Sequence, residues 1–225
     1  MAHVVLLGDS ILDNGAYTSG GPDVVTQLQS VLPAGWDATL VAVDGSVAAD
    51  VPAQLRRIPD AATHLVLSAG GNDALGHIGL IDAPARSAAE VLDQLAAAAR
   101  GFETSYRAAV SAVVARDLPT TLCTIYEGWS LDASFQRRAS TALVAFNDVI
   151  VRVAVEHGLT LIELRLVCTE AADYANPIEP SSHGGEKIAR AIARAVGAFG
   201  PIESSRVIAG EDLSHRRAGI AARGR

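Results

Sequence analysis

Cysteine is nearly absent. The 225 residues hold two, Cys123 and Cys168. Two cysteines do not make the disulfide framework that substitutes for a core in small secreted domains. Each sits in an apolar segment, TTLCTIY or LRLVCTE, so both read as buried thiols, with a single bridge between them as the alternative. Lysine is scarcer still: Lys187 is the only one, and the remaining positive charge is arginine. The net charge of -7 and the pI near 5.3 point away from nucleic acid. No apolar run is long enough to span a membrane, a task that takes about 20 residues. The opening MAHVVLLGDS has no basic stretch ahead of its short apolar run, so no signal peptide is read and the expected location is the cytoplasm. Internal repeats and metal-ligand spacings are missing as well, and no metal or organic cofactor is expected.

What remains is enough for one α/β domain with a core: 225 residues, 49% of them hydrophobic. Apolar strand-like runs alternate with helical periodicity. HVVLLG, ATLVAVDG, THLVLS, PTTLCTIYEG and LTLIEL read as five strands. PDVVTQLQSVL, a long stretch from about 85 to 117 with a possible break at Gly101, DASFQRRASTALVAFNDVIVRVAVEHG and HGGEKIARAIARAV read as helices. The third of these has an Asp at its start and a closing Gly158, a full set of helix-end signals. Strands alternating with helices imply a parallel sheet covered on both faces. The expected architecture is a three-layer α/β/α sandwich, flavodoxin-like, with five parallel strands in the order 2-1-3-4-5. Residues 1–200 form this domain. Residues 201–225, including SHRRAGIAARGR, lack apolar patterning and read as a mobile or peripheral tail.

Polar motifs fall where such a sheet opens. GDS (Gly8 to Ser10) follows the first strand, DGS (Asp44 to Ser46) the second and GGND (Gly70 to Asp73) the third, while EPSSHGG (Glu179 to Gly185) opens the last helix. Open α/β sheets bind ligands beyond the carboxyl ends of the strands where strand order reverses. In the order 2-1-3-4-5 that point lies between strands one and three, and it puts Ser10 beside Asn72.

These motifs resemble the SGNH, or GDSL, hydrolases, which are known by Ser, Gly, Asn and His in four blocks. The matches are Ser10 in LLGDSILDN, Gly45 in AVDGS, Asn72 in SAGGND and His183 in EPSSHGGEKIA, and the resemblance covers residues 3 to 198. It implies cleavage of small carboxylic esters through an acyl-enzyme on Ser10, with His183 as the base. It also implies an oxyanion hole made of the backbone N–H groups of Ser10 and Gly45 and the Asn72 amide. A serine hydroxyl needs such a base to become nucleophilic, and the oxyanion needs preorganised donors. The same acyl chemistry would serve a carbohydrate O-deacetylase or a thioesterase. A non-catalytic binding domain on the same fold is the reading from another class.

One position departs from the family. Its D-x-x-H pattern, anchored on His183, calls for Asp where Pro180 stands. Glu179 is the nearest acid and is expected within hydrogen-bond reach of the His183 ring. Asp173 is a more distant candidate, and a Ser-His dyad held by a backbone carbonyl is the third arrangement. The other histidines, and Asp9 and Asp73, read as structural residues that fix loops or the surface. Asn14 is placed to brace the Ser10 loop. Trp129 reads either as pocket lining or as buried packing. Partners beyond a small ester, and the oligomeric state, do not follow from the residues.

Overall fold

The computed structural model describes residues 1–200 and Val207, so the expected tail lies almost wholly outside the described residues. Five strands form one parallel sheet: β1 (Ala2–Gly8), β2 (Trp36–Leu40), β3 (His64–Ser68), β4 (Thr120–Cys123) and β5 (Thr160–Ile162). Their order is β2-β1-β3-β4-β5, and every neighbouring pair is parallel. The helices are α1 (Val24–Val31), α2 (Val51–Gln54), α3 (Gly71–Leu75), α4 (Ala88–Val114), α5 (Ala133–His157) and α6 (Ser182–Ala195).

Side-chain alternation along β1 divides the core into two layers. Val4 and Leu6 face a cluster with Leu28 of α1 and Ile188 and Ile192 of α6. Val5 and Leu7 face a cluster with Phe102, Tyr106 and Val110 of α4 and Phe146 and Ile150 of α5. All four β1 side chains are fully buried. At about 1.5–3 kcal/mol each, such side chains set the sheet's register firmly, because a one-residue slip would exchange the two faces.

Helix ends follow the local chemistry. Asp132 accepts hydrogen bonds from the N–H groups of Ser134 and Phe135 to start α5, and Gly158 ends it at φ 66°. Ser181 caps α6 through the Gly184 N–H. Two boundaries differ from the sequence reading. α4 runs through Gly101 without a break, because a lone glycine costs about 1 kcal/mol and the buried face of the helix offsets it. The second strand ends at Leu40, where the regular ladder breaks: the Val41 and Ala42 N–H groups both donate to the Leu6 carbonyl and the Val43 N–H to the Gly8 carbonyl before the chain turns at Asp44 and Gly45. Among the described residues no helix is long and apolar enough to cross a membrane.

Candidate active site

The chain leaves β1 for β2 on one side and β3 for β4 on the other, so the loops after β1 and β3 flank the point where strand order reverses. Backbone geometry forces the first of these loops. Gly8 has φ +124°, and a Cβ there would stand 1.6 Å from the Ser68 carbonyl oxygen. Only glycine fits this approach of β1 to β3. Gln54, 3% exposed on α2, clamps Gly8 from the other side. It accepts the Gly8 N–H at 2.7 Å and donates to the Gly8 carbonyl at 2.7 Å. Beyond Gly8 the chain turns, with the Leu12 and Asp13 N–H groups donating to the Asp9 carbonyl. Ser10 sits on this turn, facing a cavity of about 140 Å³.

Asn72, on α3, lines the same cavity and donates from Nδ2 to the Ser46 carbonyl at 2.9 Å. The Asp73 carboxylate next to it accepts the Ala48 N–H at 2.9 Å, which ties α3 to the loop after β2. That loop carries Gly45, exposed and at φ +79°. It is tied to the Ser10 turn by the Asp44 N–H, which donates to Asp13 at 2.9 Å, and by the Tyr17 hydroxyl, which donates to Asp44 at 2.7 Å. The rest of the cavity is mostly apolar, with Leu75, Ile78, Leu80, Leu95, Ile125, Phe135, Leu143 and Phe146 among its walls. Trp129 is not one of them, and it is not buried packing either, being 43% exposed.

The acidic residue in this cavity that faces Ser10 is Glu179. Its carboxylate is buried, and burial raises its pKa. The Ser10 hydroxyl acts against that by hydrogen-bonding the anion, while Asp44 raises the pKa further. The second oxygen, Oε2, is buried with no hydrogen-bond partner. The segment carrying Glu179 is firmly held. Tyr174 and Pro180 form an antiparallel bridge, and the Ala175 N–H donates to the Glu179 carbonyl. Asn176 Oδ1 accepts the N–H groups of Ile178 and Glu179, both at 3.0 Å, and the Tyr126 hydroxyl donates to the Ile178 carbonyl at 2.6 Å. Asn14, fully buried, donates to the Pro180 carbonyl at 3.3 Å and accepts the Val24 N–H at 2.9 Å. It thereby braces the Glu179 segment against the Ser10 loop.

His183 is elsewhere. It lies in the first turn of α6, does not line the cavity, and has a side chain 52% exposed. Its Nε2 is 3.8 Å from Asp173 Oδ1, and the same oxygen lies 2.7 Å from the Lys187 ammonium. Two expectations therefore change: His183 does not line the cavity that Ser10 faces, and the hydrogen-bond partner of the Glu179 carboxylate is the Ser10 hydroxyl. The physical reason is a displacement of the pattern by four residues. His183 is already helical, one turn past Pro180, whereas the residue that precedes the proline reaches back over Ser10. Laid on Glu179 instead, the family's D-x-x-H spacing falls on Asn176 and Glu179. Asn-x-x-Glu-Pro ahead of the helix-opening Ser181 was the signal available in the sequence.

Asp9 is the other buried acid. Its Oδ1 accepts the Ile11 N–H at 3.2 Å, and Oδ2 has no partner. Burial pushes its pKa up to about 8. The Ile11 hydrogen bond opposes this, and the nearby Glu179 and Asp73 add to it. Glu170, Asp173 and His183 bring potential ligand atoms within 4.8 Å of one another. The Lys187 ammonium already sits 2.7 Å from a carboxylate oxygen of both acids, so a cation fills that space as part of the fold. Cys123 and Cys168 are buried free thiols, as read from their apolar segments.

A parallel five-stranded sheet in this order, sandwiched between helices and with a serine at its switch point, defines a hydrolase-type α/β/α fold. The chain belongs to the GDSL-like lipase/acylhydrolase family, whose family model matches residues 6–186. It is similar to the extracellular lipase of Streptomyces rimosus, with 17% identity, 87% of this chain and 100% of that one covered, and a TM-score of 0.65. Phospholipase A1 of Streptomyces albidoflavus NA297 matches at 15% identity over 86% and 99%, with a TM-score of 0.66. The acetyl xylan esterase AlAXEase matches at 19% identity over 86% and 99%, with a TM-score of 0.62. No functionally curated protein matches the chain in sequence.

Proposed function

We propose that the chain hydrolyses carboxylic esters with a short apolar acyl group, through an acyl-enzyme on Ser10. The observation that carries this reading is that Ser10, Asn72 and Glu179 line one mostly apolar cavity of about 140 Å³. A cavity near 150 Å³ admits a molecule the size of benzene, so an acyl group of about six carbons fits. In this reading the Ser10 oxygen attacks the ester carbonyl. The Asn72 amide and the backbone N–H groups of Ser10 and Gly45 meet the charge that develops on the carbonyl oxygen. The alcohol leaves, and water releases the acid. No step so drawn requires a cofactor.

A second reading is an O-deacetylase, supported by the similarity to an acetyl xylan esterase. A nitrophenyl ester series from acetate to decanoate separates the two. Under the first reading kcat/KM peaks near hexanoate, and a maximum at acetate favours the deacetylase. Fluorophosphonate labelling tests the serine itself: Ser10→Ala is expected to remove both the label and the hydrolysis while the protein stays folded. A folded wild-type protein that takes no label and cleaves no ester would leave the non-catalytic binding domain as the reading.

A further inference from the structure

We propose that the Glu179 carboxylate, and not an imidazole, takes the proton of the Ser10 hydroxyl. This rests on Ser10 being the nucleophile. The geometry supports it from three sides. The carboxylate that faces Ser10 is Glu179, while the one histidine of the same segment lies outside the cavity. Glu179 Oε2 is buried and unpartnered, so a proton acceptor is available without breaking a hydrogen bond. The backbone on both sides of Glu179 is pinned by Asn176, Tyr126 and Asn14, which leaves the side chain as the free element.

The step balances without another reactant. As the Ser10 oxygen bonds to the acyl carbon, its proton passes to Glu179, giving a neutral carboxylic acid and a tetrahedral oxyanion. The carbon–oxygen bond to the alcohol then breaks, and Glu179 returns the proton to the leaving alkoxide. In the second half Glu179 takes a proton from water, the resulting hydroxide attacks the acyl carbon, and the proton goes back to Ser10 as the acid departs.

A carboxylate is an ordinarily weak base, and its surroundings strengthen this one. Burial and Asp44 raise the Glu179 pKa. Burial pushes the Asp9 pKa up to about 8, and the neighbouring Glu179 adds to that shift, so the two acids disfavour each other's ionisation. The other titratable groups turned toward this space are Tyr17 from the first loop and Tyr126 after β4, both with pKa values raised in part by Glu179. Asp73 on α3 acts on Asp9, and Glu127 and His77 line the same cavity, the His77 ring lying 6.3 Å from that of Phe146. His77 is thus the imidazole that could compete for the role.

The test is the pH profile of ester hydrolysis in full-length wild-type, Glu179→Gln, Glu179→His, His77→Ala and His183→Ala proteins, each checked by thermal melting. Glu179→Gln is expected to lose about 10²-fold or more in kcat. Glu179→His is expected to retain activity, with its acidic limb moved up toward about pH 6.5, the range of an imidazole. His183→Ala keeps the wild-type profile, while His77→Ala, which alters the cavity wall, changes KM and leaves the acidic limb where it is in the wild type. If Glu179→Gln is fully active, if His183→Ala loses activity, or if His77→Ala abolishes the acidic limb, the assignment is overturned while Ser10 stands. Should Glu179→Gln fail to fold, the position of the Glu179→His limb decides: an unmoved limb overturns the assignment. Wild-type protein that takes no fluorophosphonate overturns the Ser10 reading itself, and this one with it.

Discussion

Asp173 and Glu179 lie six positions apart on one segment, both buried, and their surroundings differ in every respect that sets the behaviour of a carboxylate. Asp173 is charge-paired. Its Oδ2 accepts the N–H groups of Thr169 and Glu170 at 2.8 and 3.0 Å, and its buried Oδ1 faces the Lys187 ammonium at 2.7 Å as an ion pair. Its main-chain carbonyl accepts the Ser181 N–H and packs so close to Gly184 that a Cβ there would stand 2.2 Å away. Glu179 has a serine hydroxyl, a second acid nearby and an oxygen with no partner. A buried acid that is held by backbone N–H groups and a cation secures structure. One with no cation beside it, facing a serine hydroxyl and an open cavity, suits the chemistry proposed for it.

The comparison breaks most visibly at the cavity. Asn72→Ala is expected to lower kcat by about 10²- to 10³-fold with a smaller change in KM, because an oxyanion donor acts on the transition state. Steady-state kinetics on the preferred nitrophenyl ester would show it, and a rise in KM alone would make Asn72 a substrate-binding residue. Thermal melting belongs beside this measurement, since the Ser46 carbonyl loses its donor in the same variant. At the charge-paired acid the effect moves from rate to stability. Asp173→Ala removes the acceptor of two partly buried N–H groups and one of the two carboxylates at Lys187, and is expected to cost about 2 kcal/mol. Urea unfolding reads that loss, and kcat per folded molecule is expected to stay within twofold. A large fall in kcat with unchanged stability would put Asp173 in the reaction and undo the contrast.

The fold was readable because each of its causes is local or periodic. Five apolar runs, Asp132 and Gly158 at the ends of α5 and the Gly8 approach all announce themselves along the chain. The switch point then followed from strand order, and Ser10 and Asn72 with it. The segment around Glu179 was not readable in the same way. His183 drew the family pattern onto itself because imidazole is the expected base. Whether a residue just before α6 faces the cavity or the solvent depends instead on where the helix begins. Pro180 and the Ser181 cap set that boundary after Glu179, so Glu179 turns inward and His183 turns out on the first helical turn. Gln54 escaped the functional reading for a different reason, as did the partner of Asn14, which was read only as a brace of the Ser10 loop. Gly8 and Pro180, the residues they hold, are 46 and 166 positions away, and no spacing encodes such a bond.

The smallest expected effect sharpens the contrast between paired and unpaired acids without touching the reaction. Asp9 has a folded-state pKa near 8, against 3.8 for the free side chain. Between those values the folded protein holds a proton that the unfolded chain has released. Stability is therefore greatest toward the acid end of this window and falls as pH rises through it, by at most about 1.4 kcal/mol per pH unit for one such group. Above pH 8 the folded form ionises as well and the slope from Asp9 ends. Asp9→Asn cannot ionise, and its amide oxygen can still accept the Ile11 N–H. The variant is expected to pay a roughly constant cost for an amide group placed where Oδ2 has no partner. It is also expected to flatten the decline between pH 5 and pH 8, so that it gains on the wild type as pH rises. Glu179, whose pKa is also raised, contributes a slope of the same sign and leaves a residue of the decline in place. Urea unfolding at half-unit steps across that range measures the difference. Parallel curves for the two proteins would mean that Asp9 is ionised in the fold, and that Glu179 faces a charged neighbour rather than a neutral one.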